Sequence, residues 1–370
     1  MRILIAGGGT AGHINPGIAI AKKLIERDKS TEVLFIGTKK GLETKLVPRE
    51  GFTLETIRVK GFIRKLSLDT LVAVKELFQG ILDARKIIKN FKPDIVVGTG
   101  GYVCGPVVLN ASLMGIPTVI HEQNAFPGVT NKLLSRFVDT IAISFKESAS
   151  FFKNPKKVVF TGNPVRGELL DADRNLSRQK LGLTPEDFLV VIFGGSRGAE
   201  KINEAVSDML LSNYKPGELN IIFATGEAQY EKISSKLKEV KPKSLDVVPY
   251  IYDMGNVLPA ADLVVCRAGA ITLGEIAVLG LPSVIIPSPY VTANHQEHNA
   301  RSFEEQGAAV VILEKDLNGD ILYNQIKSLE KNREQLAKMA RNSKKCSIPN
   351  AADKITQIIG EALEARKNKH

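Results

Sequence analysis

Read as apolar and polar positions, the chain alternates short, continuous Val/Ile-rich runs with longer segments of helical period from end to end. The first half carries the runs Arg2–Gly7, Val33–Thr38, Thr53–Val59, Ile95–Gly100, Thr118–Glu122, Thr140–Ser144 and Val158–Thr161. The second half carries Leu189–Gly194, Asn220–Thr225, Asp246–Tyr250, Leu263–Cys266, Ser283–Pro287 and Ala309–Leu313. Runs that are apolar throughout, rather than at every second position, predict strands buried on both faces of a parallel sheet. Strand and helix in alternation predict an α/β fold of two doubly wound, Rossmann-like domains. The seam falls at Gly162-Asn163-Pro164-Val165-Arg166, ahead of a polar segment, Asp171–Pro185, and a fresh strand and glycine turn over Phe188–Gly198. The expected division is therefore 1–163, 164–341 and a C-terminal helical stretch in 342–370 that reaches back over the first domain.

With 370 residues, 44% hydrophobic and 24% charged, the composition is that of a globular protein with room for two cores. No apolar run approaches the roughly 18 residues that would span a bilayer. Met1–Gly7 leads straight into a glycine loop and is too short for a signal-peptide core. Cys104, Cys266 and Cys346 are odd in number and far apart, which favours a reducing compartment over a disulfide framework. The charge is uneven. Residues 1–163 hold 24 Lys+Arg against 13 Asp+Glu, while residues 164–370 hold 26 against 27, so the whole excess of +10 lies in the first half. There is no zinc spacing, no recognition-helix pattern and no basic stripe interleaved with aromatics, which argues against nucleic acid as the partner. An anionic membrane surface or a phosphorylated acceptor suits a basic half beside a neutral one.

Two glycine-rich turns link strand to helix. In Gly7-Gly8-Gly9-Thr10-Ala11-Gly12-His13 the missing side chains let backbone N–H groups approach a phosphate, and the following helix, expected from about Pro16, adds positive potential. Gly7, Gly9 and Gly12 also fit the dinucleotide fingerprint, but the second strand ends Ile36-Gly37-Thr38 with no ribose-holding carboxylate, which argues against NAD. A tight packing turn without ligand is the plainer alternative. His13 at this turn is a candidate general base, its pKa lowered by the helix dipole; a loop-bracing histidine is the other reading. The second turn, Gly194-Gly195-Ser196-Arg197-Gly198-Ala199, offers the same cradle with the Ser196 hydroxyl added.

Other motifs sit at expected strand ends. Thr272 and Glu275 have capping-box spacing within Arg267–Glu275; Glu275, one turn into the helix, could equally accept from ribose hydroxyls. His121-Glu122-Gln123-Asn124 closes a buried strand where doubly wound sheets bind ligands, and four consecutive polar residues there argue for a site rather than a core. Glu122 competes with His13 as base, and Gly100-Gly101-Tyr102 ends the neighbouring strand, which adds Tyr102 to the candidate catalytic set. Amides in Asn294-His295-Gln296-Glu297-His298-Asn299 could bind sugar hydroxyls; two histidines without a third ligand argue against a metal. Asp171-Ala172-Asp173 reads as a solvated linker rather than a metal motif. Phe62, Ile63 and Leu66 beside Arg64 and Lys65 read as an interfacial anchor, and the stripe Leu68, Leu71, Val74, Leu77, Phe78, Ile81, Leu82 after it as core.

Taken in order, G-G-G-T-A-G-H-x-x-P-G, G-G-Y, H-E-Q-N, G-N-P-V-R, G-G-S-R-G-A, R-A-G-A-x-T-x-x-E and N-H-Q-E-x-N-A resemble the bacterial family of UDP-N-acetylglucosamine–N-acetylmuramyl-(pentapeptide) pyrophosphoryl-undecaprenol N-acetylglucosamine transferases, from residue 2 to beyond residue 300. The resemblance implies the GT-B architecture, two Rossmann-like domains facing a cleft. It implies inverting transfer, without metal or cofactor, of N-acetylglucosamine from UDP-N-acetylglucosamine to the muramyl 4-hydroxyl of lipid I (undecaprenyl-pyrophosphoryl-MurNAc-pentapeptide). The place implied is the cytoplasmic face of the bacterial cell membrane, with peripheral attachment and other cell-wall synthesis proteins as possible partners. It also implies donor contacts at Thr10, Ala11, Gly12, Asn124, Arg166, Ser196, Ile251, Ala270, Ile271, Thr272, Leu273, Glu275 and Gln296. Ala11 stands where many members have glycine and Arg197 where many have glutamine; neither removes a needed group. Transfer to another acceptor, UDP-N-acetylglucosamine 2-epimerisation, and a non-catalytic nucleotide- or membrane-binding module remain the alternatives.

Overall fold

The computed structural model describes residues 1–59, 68–195, 198–215, 217–238 and 244–367, with backbone only at 68–74 and 367. The chain forms two compact units, 1–165 with 348–370, and 166–347. In the first unit the order is β1 (Arg2–Gly7), α1 (Ala11–Arg27), β2 (Glu32–Gly37), α2 (Glu43–Arg49), β3 (Thr53–Thr56), α3 (Leu68–Phe91), β4 (Ile95–Gly100), α4 (Cys104–Leu113), β5 (Thr118–Glu122), α5 (Val129–Leu134), β6 (Thr140–Ile143) and β7 (Val158–Phe160). In the second it is α6 (Arg174–Lys180), β8 (Leu189–Phe193), α7 (Glu200–Ser212), β9 (Asn220–Ala224), α8 (Glu227–Lys236), β10 (Leu245–Val248), α9 (Met254–Ala260), β11 (Leu263–Cys266), α10 (Ala270–Leu279), β12 (Ser283–Ile285), α11 (His295–Glu305), β13 (Ala309–Val311), α12 (Gly319–Lys331) and α13 (Arg333–Lys345). The last helix, α14 (Ala351–Lys367), belongs to the first unit.

Every strand pairing is parallel. The first sheet runs β3-β2-β1-β4-β5-β6-β7 and the second β10-β9-β8-β11-β12-β13. Both faces of each sheet are covered, which is why the strands read as unbroken apolar runs. On β1, Ile3 and Ile5 pack with Ile14 and Ile18 of α1 and Ile355, Ile358 and Ile359 of α14. Leu4 and Ala6 face the other way, towards Ile88 of α3 and Val107 and Val108 of α4. An ion pair of Arg27 with Asp353, 2.7 Å apart, fastens α14 to α1. The helical stretch expected across 342–366 is thus two helices broken at Cys346–Asn350, of which α13 lies in the second unit.

Strand order places the candidate sites. The first sheet reverses its winding between β1 and β4, and the second between β8 and β11; ligands of doubly wound sheets bind at the carboxyl ends of such strands. The turns that follow β1, β4, β8 and β11 carry the glycine motifs. Two elements differ from expectation. The third strand stops at Thr56, although Ile57 and Val59 remain buried: their apolar character serves the core beyond the last ladder position. On α3, Phe78 is 65% and Leu82 67% exposed while Leu77 packs against the core, so the stripe expected as core is divided between interior and surface over its described side chains; those of Leu68, Leu71 and Val74 lie outside them.

Candidate functional site

At the first switch point, β1 and β4 approach so closely that a Cβ on Gly7 would lie 2.2 Å from Thr99 Oγ1. Helix α1 begins at Ala11, earlier than expected, with extended Thr10 as N-cap, so Ala11, Gly12 and His13 form its first turn. The half-buried His13 ring lies against Gly100, where a Cβ would meet its Cδ2 at 2.6 Å. Gly100 and Gly101 have φ of +110° and +82°, a left-handed path that glycine adopts without strain. His13 Nδ1 is 3.1 Å from the Gly8 carbonyl and 3.3 Å from Thr10 Oγ1. A carbonyl only accepts, so Nδ1 carries the proton in the neutral ring and Nε2 is its basic nitrogen. Tyr102 sits over the turn, its ring edge 3.5 Å from where a Gly9 Cβ would be.

In the turn expected to cradle a phosphate, one N–H is directed elsewhere. The Gly9 N–H donates to Glu43 Oε2 at 3.0 Å, so a carboxylate occupies the place beneath the loop. Glu43 lies five residues beyond Thr38, where the dinucleotide fingerprint has its acid, so motif spacing alone does not single it out. The local sign of it is the pair of glycines, Gly37 and Gly41, that make room for its side chain.

His121-Glu122-Gln123-Asn124, expected as a site at the strand end rather than core, lies mostly in the interior. His121, Glu122 and Gln123 are fully buried, and only Asn124 is half-exposed. Gln123 Nε2 donates to the Thr99 carbonyl at 2.6 Å and to His121 Nδ1 at 3.1 Å. His121 Nε2 lies 3.1 Å from the Gly162 carbonyl and 3.0 Å from Ser144 Oγ, which in turn donates to Asn163 Oδ1. Burial pushes the His121 pKa down to about 4. These polar groups replace apolar packing with a network that ties β4, β5 and β6 to the chain at Gly162-Asn163. Glu122 accepts from Asn124 N–H and side-chain amide through Oε1, and from the Gly128 N–H and Asn131 amide through Oε2. With four donors on two oxygens it braces the loop bearing Asn124, an arrangement ill-suited to a base.

In the second unit, a Cβ on Gly198 would meet the Thr225 carbonyl at 2.0 Å, and Gly198 has φ +74°. Gly198 therefore presses on the end of β9 before α7 starts. Ser196 lies outside the described residues. Helix α10 begins at Ala270 with Gly269 as N-cap and no side-chain cap, so the Thr272/Glu275 capping box is not formed. Thr272 is already inside the first turn, and Glu275 instead accepts from Arg166 Nε at 2.7 Å. The Glu275 carboxylate is 5% exposed and Arg166 40%. Burial raises the Glu275 pKa against the opposing pull of the Arg166 guanidinium. Two residues expected to touch the donor are thus brought together. The first turn of α10 has no side-chain cap and presents the N–H groups of Ile271 and Thr272, which have no acceptor within the helix. Leu273 is buried beneath it.

Ile251 is buried after β10 between exposed Tyr250 and Tyr252, whose rings meet edge to face at 5.0 Å. Gln296 stands in the first turn of α11, its Oε1 accepting from the Ser288 N–H. Ahead of it Ala293 and Asn294 both take left-handed backbone, φ +55° and +51°, an uncommon strain for two consecutive non-glycine residues. Arg267 is structural, pairing with buried Glu314 and donating to the Ile286 and Pro287 carbonyls. Asp173 of the D-x-D caps α6 through Leu176 N–H. Among the described residues, no three His, Cys, Asp or Glu side chains are grouped to hold a metal ion. Phe62, Ile63, Arg64, Lys65 and Leu66 lie outside the described residues. No helix among them is long and apolar enough to cross a membrane.

Comparison with known proteins gives matches over both units. The model of the glycosyltransferase family 28 N-terminal domain matches residues 3–143, and that of the glycosyltransferase family 28 C-terminal domain matches residues 189–355. A UDP-N-acetylglucosamine–N-acetylmuramyl-(pentapeptide) pyrophosphoryl-undecaprenol N-acetylglucosamine transferase of Acetivibrio thermocellus is 60% identical over 98% of this chain and 99% of its own. One of the same name from Halalkalibacterium halodurans is 46% identical over 98% and 100%. Among solved structures, Acinetobacter baumannii MurG aligns with a TM-score of 0.77 at 30% identity, covering 97% of this chain and 99% of that one. UDP-GlcNAc 2-epimerase from Neisseria meningitidis aligns at 0.68 but 15% identity, a likeness of fold alone.

Proposed function

The chain belongs to glycosyltransferase family 28, and from that premise we infer that it transfers N-acetylglucosamine from UDP-N-acetylglucosamine to N-acetylmuramyl-(pentapeptide) pyrophosphoryl-undecaprenol. The observation that carries this reading is the full-length likeness to transferases named for that reaction.

The second unit holds the donor. The first turn of α10, from Ala270 to Thr272, meets the diphosphate, and Ser196, ahead of α7 in the sequence, does the same. Negative charge that grows on the leaving UDP is stabilised there by preorganised donors; losing one such donor costs about 10²–10³ in turnover. Glu275 accepts from the ribose, Arg166 beside it offers the diphosphate a cation, and Ile251 presents its backbone to the uracil. Gln296 serves the sugar, with Leu273 packing the helix beneath.

The first unit presents the acceptor. His13 Nε2 takes the proton of the muramyl 4-hydroxyl, whose oxygen bonds to the anomeric carbon as the bond to the UDP oxygen breaks and its electrons leave with the diphosphate. Attack from the face opposite UDP inverts the α-linked donor to a β-linked product, and no metal ion takes part. Thr10, Ala11, Gly12, Tyr102 and the Glu122-braced Asn124 line the same sheet edge and position the sugars.

Attachment to the membrane is peripheral in this reading. The first unit carries 28 Lys+Arg against 16 Asp+Glu, a net of +12. Exposed Phe78 and Leu82 on α3, Leu113 (71% exposed) at the end of α4 and Val129 and Leu133 on α5 add apolar surface to that charge. Apolar insertion together with basic attraction is what holds a protein on an anionic bilayer. The Phe62–Leu66 segment adds to it on sequence grounds. The test is the product: the acceptor lipid should gain one N-acetylhexosamine in β linkage. A free 2-epimer with unchanged lipid would overturn the reading.

A further inference from the structure

Glu43 is wholly buried at the start of α2, and its two oxygens make different bonds. Oε1 accepts from both the N–H and the hydroxyl of Thr38, each at 2.8 Å, while Oε2 accepts from the Gly9 N–H at 3.0 Å. Glycines clear its space: a Cβ at Gly8, Gly37 or Gly41 would come within 2.7, 2.4 or 2.0 Å of its side chain. A buried carboxylate is costly to desolvate and is retained where its bonds are used.

The Gly8–Gly9 peptide unit is held at both ends. Glu43 takes its N–H, and its carbonyl lies 3.1 Å from His13 Nδ1. A carboxylate on the N–H of an amide makes the carbonyl of that amide a stronger acceptor, since hydrogen bonds in a chain polarise one another, by roughly 10–30% per bond. We propose that Glu43 is a positioning residue for His13 that acts through the Gly8–Gly9 peptide, fixing the amide so that Nδ1 keeps its proton and Nε2 faces the acceptor as the basic nitrogen. The arrangement resembles the carboxylate–imidazole pair of hydrolytic triads with one peptide unit inserted, and no proton passes to Glu43. It rests on His13 being the base.

Glu43→Gln separates this role from a structural one. The amide oxygen keeps the Oε1 place, where Thr38 offers two donors, and the NH₂ then faces the Gly9 N–H. The anchor to Thr38 survives and the link to the peptide is cut. With ¹⁵N-labelled histidine, the unaltered protein should show His13 protonated at Nδ1, and Glu43→Gln should shift it towards the Nε2–H form, the form favoured by an unrestrained imidazole. Turnover should fall at least about tenfold, with the donor KM changed less than about threefold. His13 protonated at Nε2 in the unaltered protein overturns the proposal without any variant. So does Glu43→Gln with unchanged nitrogen shifts. His13→Ala distinguishes the two readings: if it keeps turnover while Glu43→Gln moves the tautomer, the base assignment fails and the coupling stands.

Discussion

Removing Arg166 should strand the Glu275 carboxylate, and the cost follows from where each group lies. Truncating one partner of a buried ion pair costs about 3–5 kcal/mol, because the other charge is left without compensation. Here the carboxylate is 5% exposed but the guanidinium 40%, so water already screens one end and about 2 kcal/mol is the better figure. For a unit of this size that corresponds to a fall of about 4–8 °C in the Tm of the second unit for Arg166→Ala. Burial raises the Glu275 pKa and Arg166 opposes the rise, so the variant should raise it further. A carboxyl with a raised folded pKa stabilises below its unfolded value and loses that stability as pH rises through the folded one. The deficit of Arg166→Ala should therefore be largest at neutral pH and shrink on acidification towards pH 5. Adding Glu275→Gln, which removes the charge and keeps the shape, should restore at least half of it at pH 7.5. Thermal unfolding of the three variants across that range is the assay. Equal Tm values for Arg166→Ala and the double variant at pH 7.5 would refute the reasoning.

Three further outcomes follow from other parts of the molecule. His13→Ala should lower turnover by about 10²-fold or more while UDP affinity, measured by calorimetry, stays within about twofold, general-base catalysis being worth about 10²–10⁴; near-normal turnover contradicts the role. His121, buried with its pKa lowered to about 4, binds a proton more readily unfolded than folded, so the first unit should lose up to about 3 kcal/mol as pH falls from 6.5 to 4. Histidine NMR should show that ring neutral at pH 5.5; a protonated ring there contradicts it. Burial pushes the Cys104 and Cys266 thiols up to about 12, so a thiol reagent on the native protein should label Cys346 alone, and all three on unfolding.

Strands of a parallel sheet buried on both faces announce themselves, and Ile95–Gly100 and Leu263–Cys266 end where their apolar runs end. The strand at Thr53 ends early because burial outlasts pairing: Ile57 and Val59 are apolar for the core and not for the ladder. Glycine turns were legible for the same local reason, since few residues can follow β1 or β8 with such close neighbours. Partners remote in sequence were not legible. Nothing near Glu275 in the chain points to Arg166, 109 residues away, so the local capping-box spacing suggested a bond that tertiary contact replaced. Gln123 and His121 look like site residues because polar runs are rare in cores; their partners Thr99, Ser144 and Asn163, the last donating to the Gln123 carbonyl, come from three other segments. Phe78 and Leu82 share helical spacing with core positions, and only the packed helix tells which side of it faces the sheet.

Release of UDP from UDP-N-acetylglucosamine, followed with and without an undecaprenyl-pyrophosphoryl N-acetylmuramyl-pentapeptide analogue, tests the central claim most directly. Release that depends on the acceptor and matches it mole for mole is the predicted result. UDP release that ignores the acceptor, or none in its presence, would contradict it.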